Sequence, residues 1–166
     1  MMLCLLWVAV SLSAQKERPK VALVLGGGGA KGAAEVGVLK YIEQSGVPID
    51  MVVGTSIGSI VGGLYAVGYR SAELDSMFRH QDWMKMGMGS LMGDSIVRVL
   101  RDMADTYGSV DFDSLPTPFR CVAVDVKGMK EVVLKEGDLP QAMRASMAIP
   151  VVFKPVRIDG MRLVDG

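Results

Sequence analysis

The sequence predicts an α/β fold with a mostly parallel central sheet, and three observations support this prediction. Half of the 166 residues are hydrophobic, which is enough apolar material for one buried core. An aliphatic run at 21–25 ends in four glycines and precedes helical spacing of apolar residues at 33–46. A second apolar run at 51–53 leads into a helix-like segment, 56–69, so the order is that of a βαβ unit with parallel strands.

Residues 71–107 change in character and are predicted to lie outside the sheet. SAELDSMFRH at 71–80 has helical spacing, and SIVRVLRDMADTYG at 95–108 resumes it. Between them, methionine alternates with glycine, and the methionines concerned are Met84, Met86, Met88 and Met92. Two interpretations stay open for them: an adaptable apolar surface or lid for acyl chains, or ordinary core and loop residues.

The last third of the chain predicts two hairpins and a helix. Runs at 118–126 and 130–137 are expected to be strands joined by a Lys-Gly-Met turn. A helix is expected over 138–150, with Asp138 as its N-cap. The runs at 151–158 and 161–164 flank the pair Asp-Gly, which is typical of a tight two-residue turn.

The charge balance argues against a nucleic-acid-binding function, and the position of Cys121 argues against a reactive cysteine. Eighteen basic residues balance eighteen acidic ones, so no nucleic-acid partner is expected and any lipid contact must be hydrophobic or local. Peripheral membrane contact is compatible with this balance. Cys121 lies in a strand-like run and is expected to be a small core residue.

The two ends of the sequence suggest processing and truncation. Residues 1–14 form an apolar run followed by small residues and a charged stretch, which predicts a signal peptide, cleavage near Ala14 and export. The run MRLVDG stops abruptly at Gly166, so we expect a fragment whose last domain is cut.

The glycine loop GGGGAKG at 26–32 admits a nucleotide-binding interpretation. Gly27, Gly29 and Gly32 match GxGxxG between a strand and a helix, as in dinucleotide-binding folds. Such a fold needs an acidic residue at the end of its second strand, but there the chain has Gly-Thr-Ser. The phosphate loop of nucleotidases also fits poorly, because Lys31 precedes the last glycine instead of following it.

The same loop suits an oxyanion. Its backbone N–H groups lack side chains and lie at a helix N-terminus, where the partial positive charge favours an anion. A purely structural role in a tight turn is the alternative.

Ser56 is a candidate nucleophile. GTSIG at 54–58 matches GxSxG, in which serine occupies a strained strand-to-helix turn and the flanking residues, here Gly54 and Gly58, avoid backbone clashes. The carboxyl end of a strand is where open α/β sheets place their sites. An ordinary N-cap role for Ser56 stays open.

A serine nucleophile needs a base, and the usual late histidine is missing. The only histidine, His80, lies in a polar helical stretch and is expected to be solvated. Asp165 follows an apolar strand-like run and precedes a glycine, which suits a side chain presented at a sheet end. Asp125 is the competing carboxylate, and Asp159 is accounted for by its turn.

Taken together, GGGGAKG, GTSIG, RASMAIPVVFKPV and the final LVDG resemble the patatin-like phospholipase family over residues 20–166. The resemblance implies a three-layer α/β/α fold and hydrolysis of lipid acyl esters by a Ser-Asp dyad, without metal or cofactor. By motif, Ser56 matches the nucleophile and Asp165 the base. The oxyanion-hole loop is matched by Gly27, Gly28, Gly29 and Lys31.

The resemblance also carries expectations about context. In the family the aspartate is usually followed by two residues, Gly-Gly or Gly-Ala, and only Gly166 is present here. Exported bacterial relatives of this kind often continue into an outer-membrane barrel, which implies a periplasmic or outer-membrane location. Two alternatives stay open: a nucleotide-binding module that uses the glycine loop, and a catalytically silent fragment of a longer outer-membrane protein.

Overall fold

A computed structural model describes residues 18–80, 98, 100–102 and 109–166. The expected signal peptide at 1–14 lies outside the described residues. So do the four methionines that were candidates for an apolar surface or lid: Met84, Met86, Met88 and Met92.

The described residues contain eight strands and four α-helices whose first and last residues are defined. The strands are β1 (Ala22–Leu25), β2 (Met51–Thr55), β3 (Ser109–Asp111), β4 (Phe119–Asp125), β5 (Lys130–Leu134), β6 (Glu136–Asp138), β7 (Val156–Ile158) and β8 (Met161–Asp165). The helices are α1 (Gly32–Gln44), α2 (Ile57–Ala66), α3 (Ser71–His80) and α4 (Leu139–Ser146). Short 3-10 turns cover Gly29–Lys31 and Phe112–Ser114.

The main sheet has the order β1-β2-β4-β8-β7, with β5 also paired to β4. β1, β2 and β4 are parallel, whereas β5 and β8 run antiparallel to β4, and β7 runs antiparallel to β8. The α/β class and the βαβ unit are therefore confirmed. The sheet itself is mixed rather than mostly parallel in its pairings, because both C-terminal hairpins enter it with short turns that can only join antiparallel strands.

Helices α2 and α4 pack on one face of this sheet. The thiol of Cys121 on β4 donates to the carbonyl of Ala142 on α4, and a Cβ added at Gly62 of α2 would meet Val52 on β2. Alternate residues of the strands face these helices. These strand residues form the core together with buried residues of all four helices. The core prediction for Cys121 is confirmed, since this side chain is fully buried.

Local sequence explains the starts of these elements. Asp138 accepts a hydrogen bond from the amide of Gln141 at 3.0 Å and so caps α4, as predicted. Asp159 and Gly160 have φ of 48° and 76°, which is the left-handed pair that a two-residue hairpin turn requires. Among the described residues, no helix combines the length and the apolar character needed to cross a membrane.

Two predicted strands differ from the structure. The run at 130–137 divides into β5 and β6, and β6 leaves the main sheet to pair with β3 in a separate ribbon. The run at 151–158 is a strand only from Val156, because residues 151–153 form a tight turn. β-branched residues favour strands, but here no partner strand pairs with 151–153 in the described sheets, and tertiary context decides.

Candidate active site

The pairing of β4 brings the carboxyl ends of β2 and β8 together. Thr55 pairs with Val122, and Asp165 pairs with the next residue, Ala123. β5 pairs with this same part of β4, so β2 and β8 must share its other edge. Because β2 is parallel and β8 antiparallel to β4, their ends abut. The residue after Thr55 is Ser56, which therefore lies beside Asp165.

Ser56 stands in a strained turn between β2 and α2. Its φ of 56° and ψ of −126° place it in a region that residues other than glycine rarely occupy. It holds the N-cap position of α2, but its side chain makes no capping hydrogen bond. The hydroxyl is left for another partner, which argues against the purely structural N-cap interpretation.

That partner is Asp165. The Ser56 hydroxyl donates to Asp165 Oδ2 at 2.8 Å, and the serine is buried while the aspartate is half-buried. Burial raises the pKa of Asp165 above its usual 3.8, and the bonds from Ser56 and from the Gly166 amide oppose this rise. A carboxylate with a raised pKa is a better proton acceptor, so the pair has the arrangement of a nucleophile and a base.

Close packing fixes the glycines around this turn. A Cβ at Gly54 would lie 2.4 Å from the Gly58 carbonyl oxygen, and one at Gly58 would lie 2.6 Å from the carbonyl oxygens of Leu25 and Gly26. A Cβ at Gly166 would lie 2.6 Å from the Val122 carbonyl oxygen. Real Cβ atoms do not approach backbone this closely, so the glycines of GxSxG and of the final Asp-Gly are needed to close the site.

The glycine loop lies against the same serine. A Cβ at Gly27 would be 3.3 Å from Ser56 Cβ, which puts the loop in contact with the turn. Gly28 and Gly29 have φ of 155° and 56°, and the amide of Lys31 donates to the Gly28 carbonyl at 3.2 Å. The loop therefore presents backbone rather than side chains to Ser56. Its assignment as an oxyanion hole stays a prediction.

The other candidate bases are engaged elsewhere. Asp125 accepts bonds from the amides of Lys127, Gly128 and Arg162, and these bonds hold the pKa of its carboxyl below the usual value. Asp125 therefore organises the β4–β5 turn and its neighbour β8. His80 is exposed at the end of α3, where Nδ1 donates to the carbonyl of residue 76 at 2.7 Å.

Ser146 is a site residue that sequence reasoning missed. It lies at the end of α4 and is fully buried, and its Oγ accepts a bond from the Ser56 amide at 2.9 Å. The Ser146 hydroxyl in turn donates to the Val122 carbonyl at 2.5 Å. Two residues later, the Ala148 carbonyl accepts a bond from the Asp165 amide at 3.0 Å. The end of α4 thus holds the backbones of both Ser56 and Asp165.

The pair formed by the Ser56 hydroxyl and the Asp165 carboxylate suits proton transfer. Within the described ranges, no group of three or more His, Cys, Asp or Glu side chains is placed to hold a metal ion. The described site consists of a serine hydroxyl hydrogen-bonded to a carboxylate, next to a glycine-rich backbone loop.

Solved structures with a similar fold include two bacterial proteins. VipD from Legionella pneumophila matches with a TM-score of 0.69 and 15% identity over 90% of this chain and 46% of its own. The type III effector protein ExoU matches with a TM-score of 0.64 and 15% identity over 81% of this chain and 41% of its own. These likenesses show the fold.

Similar sequences occur in bacteria, animals and fungi. An uncharacterized NTE family protein of Mycobacterium bovis is 36% identical over 89% of this chain and 42% of its own length. The patatin-like phospholipase domain-containing protein 6 of Homo sapiens is 37% identical over 88% of this chain and 11% of its own. The lysophospholipase nte1 of Emericella nidulans is 32% identical over 88% and 10%.

The chain spans less than half the length of these relatives. The family model described as patatin-like phospholipase matches residues 23–166, which include the glycine loop, Ser56 and Asp165. With that match over most of its length, the chain belongs to the patatin-like phospholipase family.

Proposed function

We propose that this chain is a serine acyl hydrolase that cleaves ester bonds of phospholipids or other acyl lipids through a Ser56–Asp165 dyad. The observation that carries the proposal is the 2.8 Å hydrogen bond from the Ser56 hydroxyl to Asp165 Oδ2. Family membership supports a phospholipase-type domain, and the two residues supply a nucleophile and a base of the kind that acyl transfer needs.

In the proposed first step, Ser56 Oγ attacks the ester carbonyl carbon while Asp165 accepts the hydroxyl proton. The carbonyl oxygen becomes an oxyanion, which backbone N–H groups of Gly27, Gly28 or Gly29 would hold. Each well-aimed donor of this kind contributes about 3–4 kcal/mol to transition-state stabilisation. Collapse of the tetrahedral intermediate breaks the bond to the alcohol, which leaves with the proton from Asp165.

In the second step, water replaces the alcohol. Asp165 accepts a proton from the water as its oxygen attacks the acyl carbon of the Ser56 ester. The second tetrahedral intermediate collapses with release of the fatty acid, and Asp165 returns the proton to Ser56 Oγ. Both steps use the same base and the same oxyanion donors, so no further catalytic group is needed.

Single-chain phospholipids are the first substrates to test. One relative bears the name lysophospholipase, and the match to it covers 88% of the present chain and 10% of the relative. The balanced net charge also favours contacts that are apolar or local over wide electrostatic attraction to a surface. Lysophosphatidylcholine and a short-chain ester therefore form the starting panel.

The proposal is tested by labelling with a fluorophosphonate probe, which forms a stable adduct with activated serine nucleophiles. We expect one adduct per chain, mapped by mass spectrometry to the peptide containing Ser56. A dinucleotide titration runs beside it for the nucleotide-binding alternative. An unlabelled chain that binds a dinucleotide with saturation would replace the hydrolase proposal.

Ser146→Ala is expected to lower kcat by about tenfold to a hundredfold while leaving KM nearly unchanged. The substitution removes the acceptor of the Ser56 amide, so the strained turn relaxes and the nucleophile is less well aimed. Because Ser146 acts on the Ser56 backbone, we expect the change in kcat and not in KM. Steady-state kinetics on a short-chain ester measure both constants.

Ser71→Ala is the matched control. Ser71 is another buried serine whose hydroxyl is hydrogen-bonded, but its partner is Glu43 on α1, away from the dyad. Ser71→Ala removes the hydroxyl's bond to a carboxylate and Ser146→Ala removes two buried hydroxyl bonds, so each variant is expected to lose about 1–3 kcal/mol of unfolding free energy. A kcat that falls equally in both variants would mean that stability, and not the position of Ser56, is responsible.

A further inference from the structure

In the turn between α4 and β7, three of four consecutive residues have exposed aliphatic side chains. Ile149 and Val152 are each 41% exposed, and Val151 is 102% exposed; Pro150 lies between them and is also exposed. We call residues 149–152 the apolar tip. Single exposed aliphatic residues are common on protein surfaces, but such a cluster at one turn marks an interaction site more often.

Val151 also has a backbone conformation that is unfavourable for valine. Its φ is 74°, in the left-handed region where a β-branched residue is a genuine outlier. Glycine, asparagine or aspartate would fit there with less strain, and the last two would also suit an exposed turn. A fully exposed valine gains no burial against the described residues, so contacts among those residues do not account for it.

Hydrogen bonds and packing hold the base of the apolar tip. The amides of Val152 and Phe153 both donate to the Ile149 carbonyl, at 3.2 and 2.9 Å. Phe153 is buried, and the Arg144 guanidinium lies 5.0 Å from its ring centroid. Arg144 Nη2 also donates to the Lys154 carbonyl at 3.1 Å. Arg144 is buried and therefore supports the base of this turn.

The apolar tip begins one residue from the candidate active site. Ile149 follows Ala148, whose carbonyl accepts the bond from the Asp165 amide. Two exposed cations follow the tip, Lys154 and Arg157, and one exposed acidic residue, Asp159, lies beyond them in the hairpin turn. Along the chain, the first charges after the exposed aliphatic residues are therefore positive, and in space Lys154 and Arg157 line a cavity that Glu136 and Asp138 also line.

We propose that the apolar tip inserts into the interfacial region of a phospholipid bilayer, with Lys154 and Arg157 against anionic headgroups. This inference extends the proposed function, since it places the lipid surface on the side of the Ser56–Asp165 pair. Aliphatic side chains bind by entering the boundary between headgroups and acyl chains, and neighbouring cations add attraction to anionic lipid.

The test measures binding to vesicles of dialkyl ether phosphatidylcholine and phosphatidylglycerol. These lipids have no carboxylic ester bond for an acyl hydrolase to cleave, so binding is measured whether or not the chain is a hydrolase. Val151→Asp is expected to lower the partition coefficient about tenfold or more, because a charge replaces the inserted side chain. Aspartate tolerates positive φ, so the thermal midpoint of this variant should equal or exceed that of the parent.

Met129→Asp is the matched control. Met129 is 84% exposed with φ of 51° in the β4–β5 turn, so the same substitution adds the same charge at another exposed, left-handed position. Its partitioning should match the parent within about twofold, a change small against that expected for the tip. Equal losses in both variants would show that net charge governs binding and would overturn the proposal.

A second arm tests the cations. Lys154→Gln is expected to lower partitioning into vesicles that contain phosphatidylglycerol by about fivefold, and to have little effect on vesicles of phosphatidylcholine alone. Vesicle binding that is unchanged in Val151→Asp, together with an altered KM for a water-soluble short-chain ester, would assign the apolar tip to an acyl-chain subsite. That result would also overturn the bilayer proposal, while leaving the hydrolase proposal in place.

Discussion

Ser56→Ala is expected to abolish ester hydrolysis and fluorophosphonate labelling, with a loss in kcat on the order of 10⁶-fold. The substitution removes the only atom of the residue that can attack a carbonyl carbon. Asp165 and the glycine loop remain in place, but without a nucleophile the carboxylate has no serine proton to accept. Residual activity would come only from substrate binding and oxyanion contacts.

The same substitution should leave the fold intact. Alanine keeps the backbone, and the Ser56 amide still donates to Ser146 Oγ, so the turn remains held from α4. The cost is one hydrogen bond to a half-buried carboxylate, about 1–2 kcal/mol. Circular dichroism and the thermal midpoint check this point, and a large fall in either would make the activity loss uninformative.

Ser59→Ala separates the nucleophile from its neighbour. Ser59 is also buried, in the first turn of α2, and its hydroxyl donates to the Ser56 carbonyl at 2.6 Å. This variant should still form the adduct on the Ser56 peptide fragment, with a smaller fall in rate. An adduct on Ser59, or activity of Ser56→Ala within tenfold of the parent, would show that the nucleophile is another residue.

The first half of the site could be predicted because its signals are local. GTSIG lies between an apolar run and a run of small residues, so the strand, the turn and the helix are all encoded within about fifteen residues. The glycine loop is local in the same sense. Even so, the sequence left open whether Ser56 is an N-cap, and the structure resolves this by giving its hydroxyl a different partner.

Asp165 was harder, since its role depends on strand register. In sequence it is a carboxylate after an apolar strand, and Asp125 has the same description. What separates them is that β8 continues along the edge of β4 where β2 stops, which puts Asp165 beside Ser56. Asp125 faces three backbone amides of a neighbouring turn and strand. Residue patterns do not encode such a non-local pairing.

The residues of the α4 end were missed for a similar reason. Ser146 was part of a quoted motif, but a lone serine at a helix end has no pattern that points to the amide of Ser56, 90 residues away. The turn at Val151 was missed because valine favours strands and opposes positive φ. Both positions break a local rule or lack one, and both adjoin the candidate site, as expected where function competes with local preference.

Asp165→Asn is expected to lower kcat by about 10⁴-fold or more, because the base is removed while the shape is kept. Asparagine Oδ1 can still accept a hydrogen bond from the Ser56 hydroxyl, but an amide does not accept the proton when the oxygen attacks. In the parent, kcat/KM should fall on acidification as Asp165 is protonated, with its inflection above the usual carboxyl pKa of 3.8.

The sign of the stability change distinguishes this base from a structural carboxylate. Because burial raises the pKa of Asp165 in the folded state, the folded chain binds the proton more tightly than the unfolded chain. The stability from this group is therefore present below the unfolded pKa and lost as pH rises through the folded pKa. At pH 7, Asp165→Asn should match or exceed the thermal midpoint of the parent, and this advantage should shrink in acid.

His80→Ala tests the histidine alternative. His80 is exposed and bonded to its own helix, so its removal should leave most of the activity and the acid limb of the pH profile unchanged. If His80→Ala were inactive and Asp165→Asn active, a histidine mechanism would replace the dyad. If Asp165→Asn were instead unstable at neutral pH, the carboxylate would be holding the fold, and its bond to Ser56 would be structural. Catalytic loss without loss of stability is the result that a general base at this position requires.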